Sequence, residues 1–279
     1  MTLGKTLRER LARFGALDDG EIDLAEAALI LAAVDRPRGQ LEPYRRHLAK
    51  MAAEVGAYAA AARREPDLDV QAESLAHVLG RRYGYGCDPE TYDDLDAANL
   101  MRVIDNRRGL PVVLGILYIH TARSLGWTMA GVDFPSRFLV RLEAGGRRLI
   151  LDPSEGGVSL DPTALRALLK VVSGNDAELT PEHYRPAGNR AILYRMQNNI
   201  KVRLLADGKL EEALRVLETM ALFAPGVPDL WREVGILNAR LDNLRAAVAA
   251  LEEFLRRGSE NPERHKARVL LQQLRGRLN

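Results

Sequence analysis

The stretch Asn106-Arg107-Arg108-Gly109-Leu110-Pro111-Val112-Val113-Leu114-Gly115-Ile116-Leu117-Tyr118-Ile119 opens the segment on which the fold turns, and Leu151-Asp152-Pro153-Ser154-Glu155-Gly156-Gly157 closes it. Asn106 and Gly109 before Pro111, and Gly126 after Leu125, are helix start and stop signals. Between them the run is apolar nearly all round, which predicts a helix buried as the axis of a domain. It is too short and too interrupted to span a bilayer. Three extended segments follow at 128–134, 137–143 and 147–151, with Ala144-Gly145-Gly146 as the hairpin turn between the last two. A buried helix followed by an antiparallel sheet is an α+β unit.

Three motifs inside this segment carry a resemblance. They are Arg107-Arg108-Gly109-Leu110-Pro111, Phe134-Pro135-Ser136-Arg137-Phe138-Leu139-Val140-Arg141, and Leu151-Asp152-Pro153 with Gly156-Gly157. Together they resemble the bacterial SirB-type branch of the transglutaminase-like superfamily, over about residues 20–190. The resemblance implies a transglutaminase/papain-like core with added N-terminal helices. It also implies a triad: a cysteine nucleophile at the helix start, a histidine on the next strand and an aspartate on the strand after it. That order suits the chemistry. A helix N-terminus stabilises a thiolate, an imidazole takes the proton, and a carboxylate orients the imidazole.

Two of those three positions depart from the pattern. No cysteine lies between Gly109 and Leu117, and the SirB-type Phe-Pro-Gly-His-Phe reads Phe134-Pro135-Ser136-Arg137-Phe138. An arginine stays protonated at any ordinary pH and cannot serve as a general base. Asp152 alone remains, so Arg137 and Asp152 stand as the relic of a triad with no catalytic residue assigned.

The chain has 279 residues, enough for one or two domains, and 47% are hydrophobic, enough for a sizeable core. With 40 basic and 38 acidic residues, its net charge of +2 favours no charged partner, and 5% aromatic residues leave little for base stacking. No nucleic-acid or membrane partner is expected. The lone Cys87 excludes an internal disulfide, and the first ten residues lack the apolar core of a signal peptide, so a cytoplasmic protein is expected.

Before the central segment, Asp18-Asp19-Gly20-Glu21 suggests a cap for an amphipathic helix that ends ahead of Pro37. Pro43 opens a second helix to about Arg64, and a third spans 70–82 after Pro66. A Gly- and Tyr-rich acidic loop, 83–94, leads to a helix at 95–104. Its carboxylates Asp88, Glu90, Asp93, Asp94 and Asp96 lack EF-hand spacing and read as helix caps, so neither metal nor cofactor is expected. Arg107 and Arg108 are expected to pair with this loop. After Gly157, Asp161-Pro162-Thr163 caps a further helix, and 173–190 reads as a connector.

From Ile192 the chain repeats at an offset of 34: Leu210 matches Leu244, Ala213 matches Ala247, Leu217 matches Leu251, Met220 aligns with Phe254 and Pro228 with Pro262. The period resembles tetratricopeptide repeats, with units at 195–228 and 229–262 and a capping helix at 265–278. The domain organisation expected is therefore 1–190, transglutaminase-like, and 191–279, helical repeats.

Among single residues, His120 reads as a neutral histidine inside the central helix, while His47, His77, His183 and His265 form no ligand spacing. Arg137 offers a bidentate fork that either pairs with Asp152 or receives an anion or peptide carboxylate. The basic run from Arg256 to Arg277 reads as the solvated face of the capping helix. The reading that follows is a non-catalytic protein- or peptide-binding module working through its repeats. The alternative is a cysteine-dependent acyl transferase or peptidase using Cys87 in a rearranged site.

Overall fold

The computed structural model describes residues 5–36, 39–62, 67–91, 93–135, 137–257 and 262–278, so the landmarks Pro37, Arg64, Pro66, Tyr92, Ser136 and Glu260 lie outside it. Twelve α-helices and five strands are described among those residues. Packing divides the chain into Asp19–Met196 and a second unit of Met1–Asp18 with Gln197–Asn279.

In chain order the helices begin with α1 (Lys5–Ala16), α2 (Leu24–Asp35), α3 (Glu42–Ala60), α4 (Leu68–Leu75) and α5 (Leu100–Asn106). The cap of α2 is Asp23, whose carboxylate accepts from the Glu26 N–H, rather than the acidic run before it. Nor is α2 amphipathic: Ala27 through Ala33 are all at most 5% exposed. Between Glu26 and Asp35 it carries no charge, so every face can be buried. Asp19 instead accepts from the backbone N–H groups of Asn189 and Arg190, at 2.8 Å each, and so caps the helix that starts there.

The expected third helix changes character midway. After α4 the chain continues as a π-helix over Ala76–Arg82. The expected helix at 95–104 is likewise split: a 3-10 turn over Leu95–Ala98 precedes α5, with Asn99 as the α5 cap.

The central helix, α6 (Pro111–Ser124), places Pro111 in its first turn, where no N–H is missed. Val112 through Ile119 are at most 1% exposed apart from Gly115, which is also buried. Beside it lies a sheet of five strands: β1 (Thr128–Phe134), β2 (Arg137–Ala144), β3 (Arg147–Asp152), β4 (Val158–Leu160) and β5 (Pro186–Ala187), ordered β4-β3-β2-β1-β5 and antiparallel throughout. The three expected strands are there. The two edge strands extend them on either side, β5 arising inside the expected connector.

Strand periodicity gives the sheet two apolar faces. Phe138 and Val140 meet α6 at Gly115. Val132, Phe134, Leu139 and Ile150 form a second core with Leu165 and Leu169 of α7 (Pro162–Ser173), joined by Leu179 and Tyr184 from the segment that follows.

The second unit contains α9 (Leu210–Phe223), α10 (Pro228–Arg240), α11 (Leu244–Arg257) and α12 (Pro262–Leu278), preceded by α8 (Asn189–Ala206), whose residues cluster here from Gln197. Helices α9 and α11, and α10 and α12, start 34 residues apart, the offset read from the sequence. Ala213, Ala247, Leu217, Leu251 and Met220 are fully buried, and Phe254 is 1% exposed. Any side chain at Gly235 would run into Leu251, so α10 and α11 approach closely. The boundary expected at 190 puts α1 with the first domain, whereas α1 packs on α9 and clusters with the repeats. Two repeats bury too little surface alone, and α1 adds a further helix to the stack.

Candidate functional site

Asp152 ends β3 and caps a 3-10 turn over Pro153–Glu155. It is fully buried, and a buried carboxylate needs partners for its oxygens. Oδ1 accepts from the Ser154 N–H at 2.9 Å and from the Ser154 hydroxyl. Oδ2 accepts from Arg137 Nη1 at 2.5 Å. The loop then turns back through Gly156 and Gly157, at φ 67° and 85°, with the Gly157 N–H donating to the Asp152 carbonyl at 2.8 Å.

This loop rests on the π-helix. A Cβ on Gly80 would collide with the Gly156 carbonyl oxygen, and one on Gly157 would lie 2.8 Å from the Tyr118 hydroxyl. Only backbone fits between them. Tyr118 is buried from α6, and its hydroxyl has no hydrogen-bond partner among the described residues. Burial, and then the nearby Asp152 charge, push its phenol well above the ordinary range.

Arg137 begins β2 opposite Phe134, while the β2–β3 ladder places Val140 opposite Leu151. Arg137 therefore stands diagonal to Asp152, and its length lets it reach back across the strand end. Its side chain keeps 34% of its surface exposed, and Glu155 lies 4.0 Å from the same nitrogen. The guanidinium thus engages the carboxylate oxygen that Ser154 leaves open.

Cys87 joins this site through its backbone. Its N–H donates to the Ser154 carbonyl at 3.1 Å, and Gly86 beside it bridges to Arg108. The thiol is half-buried, and its pKa is raised, first by burial and then by Glu155, Asp152 and Asp88, with Arg137 opposing. A nucleophilic cysteine needs the reverse, an environment that favours thiolate.

The acidic loop behaves as caps. Asp88 accepts from the Glu90 N–H and Asp94 from the Asp96 N–H. Arg107 and Arg108 reach this loop as expected, and the contacts described among these residues are to Tyr85 and Gly84. Arg107, left-handed at φ 62°, donates to the Tyr85 hydroxyl and reaches His47 Nε2 at 3.1 Å, its guanidinium 4.8 Å from the Tyr85 ring centre. Arg108 donates to the Gly84 carbonyl at 2.6 Å. The tyrosines offer a ring face and a buried hydroxyl, which hold a guanidinium better than solvated acids can. His47 bonds the Tyr85 hydroxyl at 2.8 Å, so this histidine, isolated in sequence, belongs to a four-residue cluster with Tyr83, Tyr85 and Arg107. The only hint in the sequence was the Tyr83-Gly84-Tyr85-Gly86 pattern.

His120 lines a groove of about 440 Å³ with Asp23, Glu26, Arg45 and Ser124, and burial lowers its pKa. Among the described residues, no three His, Cys, Asp or Glu side chains gather as a metal-binding group, and no helix is long and apolar enough to cross a membrane.

Comparison with known proteins matches this architecture. The tetratricopeptide-repeat family model matches residues 200–275. The UPF0162 protein of Vibrio cholerae serotype O1 is 29% identical over 246 residues, covering 88% of this chain and 90% of the relative. The UPF0162 protein YchA of Escherichia coli K12 and Protein SirB1 of Salmonella typhimurium are each 29% identical over 195 residues, covering 70% of this chain and 72% of the relative. No solved structure matches the chain. The transglutaminase-like superfamily model matches residues 42–198, more than half the chain, spanning α6, the sheet and the Asp152 loop, and the chain belongs to that superfamily.

Proposed function

We propose that this protein is a non-catalytic member of its superfamily, acting in the cytoplasm as a protein- or peptide-binding module through its helical repeats. One observation carries the reading: Arg137 Nη1 sits 2.5 Å from Asp152 Oδ2, so a permanent cation fills the place of the base. The start of α6 supports it, since Pro111, Val112 and Val113 offer no nucleophile. Within this reading Arg137 is the candidate contact for a peptide carboxylate or other anion, through the exposed third of its side chain. The repeats supply the partner surface, and a regulatory role follows if the partner is an enzyme.

The test is a panel of glutamine-donor and peptide substrates, run on the full chain and on Cys87→Ala, with cross-linking mass spectrometry of captured partners. No turnover by either protein, and cross-links concentrated on residues 197–279, are expected. Turnover that vanishes in Cys87→Ala overturns the reading.

The alternative, a thiol enzyme built on Cys87, is favoured by one observation: the Cys87 N–H bonds Ser154, the residue that also bonds Asp152. Its raised thiol pKa weighs against that alternative.

A further inference from the structure

A second groove, of about 400 Å³, opens on the α7 side of the sheet, and neither Asp152 nor Arg137 is among its lining residues. Four arginines from separate parts of the chain line it: Arg141 from β2, Arg148 from β3, Arg166 from α7 and Arg185 just before β5. No acidic residue is among its lining residues. Sheet register explains the convergence of the first two. Arg141 lies opposite Ile150, and Arg148 opposite Glu143, so alternation puts both arginines on one face.

Tyr184 organises the groove. Its carbonyl accepts from Arg141 Nη1 at 2.6 Å, and the Arg148 guanidinium lies 5.0 Å from its ring centre. Arg141 is thereby fixed, with 17% of its side chain exposed, and its buried Nε makes no hydrogen bond of good geometry although Glu143 is 2.5 Å away.

The other guanidiniums are available. Arg166 meets Glu178 at 3.7 Å and Arg185 meets Glu182 at 2.7 Å, both in exposed pairs whose net contribution is small and which rearrange readily. No described ion pair involves Arg148; its ring contact leaves the planar N–H fork open. Leu179 and Pro181 form an apolar wall beside this charge. The volume falls within the usual range for small-ligand pockets. The three remaining guanidiniums exceed what one carboxylate needs, whereas a phosphate dianion offers several oxygens to several forks.

We propose that this groove binds a small phosphomonoester, its phosphate held by Arg148, Arg166 and Arg185 and its apolar body laid against Tyr184, Leu179 and Pro181. The site is separate from Asp152 and does not depend on the function proposed above.

Calorimetry on the full chain at constant ionic strength tests it, with phenyl phosphate and inorganic phosphate as probes. Saturable one-to-one binding is expected, with phenyl phosphate about tenfold tighter because its ring is buried. Arg148→Gln and Arg166→Gln each change an exposed side chain and should weaken both probes by about tenfold or more, as loss of a charged hydrogen bond does. Arg275→Gln, in α12, should change neither affinity. Absence of saturable binding at millimolar concentration overturns the proposal. So does equal affinity for the two probes, or affinity indifferent to Arg148→Gln and Arg166→Gln while circular dichroism shows both variants folded.

Discussion

Arg137 and Asp152 form an asymmetric pair: the carboxylate is fully buried and its oxygens are engaged, while a third of the arginine side chain remains in water. The asymmetry decides what each substitution does. Arg137→Ala leaves a buried charge with only Ser154 to satisfy it, and a loss of about 3 kcal/mol is expected, the lower end of the cost of breaking a buried pair. Asp152→Ala removes the cap on Ser154 as well and should cost at least as much. Arg137→Met with Asp152→Leu removes both charges and should recover much of the loss. Urea denaturation of the three variants measures this, and an Arg137→Ala midpoint equal to that of the unmodified protein rejects a stabilising role for the pair.

The loop that carries Asp152 can be dislodged from beneath. Gly80 faces the Gly156 carbonyl with no room for a methyl group, and the obstruction is backbone rather than a flexible side chain. Gly80→Ala should therefore overpack, at about 1 to 3 kcal/mol, and lift residues 152–157 off the π-helix. Hydrogen exchange reports the movement: the Gly157 amide, bonded to the Asp152 carbonyl, should lose protection. Unchanged protection in a folded variant would show that the loop is held by other contacts.

Cys87 should react slowly. Burial and the carboxylates of Glu155, Asp152 and Asp88 raise its pKa, while Arg137 acts in the other direction. Alkylation by iodoacetamide at pH 7.5 is expected to be slower than for a free thiol, because thiolate is the reacting form. Glu155→Gln should accelerate it and Arg137→Met should slow it further. Reaction faster than free cysteine would revive Cys87 as a nucleophile.

Much of this architecture was legible in the sequence because it rests on strong local patterns. Pro111 and the apolar run behind it define α6, and Ala144-Gly145-Gly146 defines the β2–β3 hairpin. The matching alanines, leucines and prolines set the repeat offset. Where local pattern was weak, pairing with neighbours supplied the structure. Val158–Leu160 and Pro186–Ala187 are too short to show alternation and become strands only by adding to β3 and β1. The π-helix at Ala76–Arg82 has the composition of an ordinary helix. At the site, Asp152 and Arg137 could be matched because their motifs are contiguous. The approach of Cys87 to Ser154, and of His47 to Tyr85 and Arg107, depends on tertiary closure that no spacing encodes.

The repeat register makes its own prediction. Ala247 is fully buried on α11, at the position that Ala213 occupies one repeat earlier. Ala247→Leu inserts a branched side chain into a packed helix contact, and about 1 to 3 kcal/mol of destabilisation is expected. Val248→Leu, one residue along on the same helix and only half-buried, should cost less than 1.5 kcal/mol on the same scale. Equal thermal melts for the two variants would count against the assigned register.

Acid should destabilise the protein through two histidines. His47 and His120 both have lowered pKa values, mainly because burial disfavours the charged ring. Arg107 and Lys50 lower His47 further while Glu54 and Asp105 oppose them, and Asp23 alone opposes the shift at His120. In the unfolded chain each ring takes its proton near pH 6.5. Below that pH the unfolded state binds more protons than the folded state, so stability falls as pH drops toward the lowered folded values. Each unit of separation is worth about 1.4 kcal/mol. His47 has the more specific consequence, because its Nε2 faces the Arg107 guanidinium at 3.1 Å and a proton there would oppose two cations. His47→Gln keeps an acceptor for Arg107 without a titrating ring. Carboxylates titrate in both proteins, so the informative quantity is the difference between them. Urea midpoints at about pH 7.5 and pH 5.5 should show a smaller acid loss in His47→Gln than in the unmodified protein. An equal loss would mean that His47 is protonated as readily in the fold as outside it.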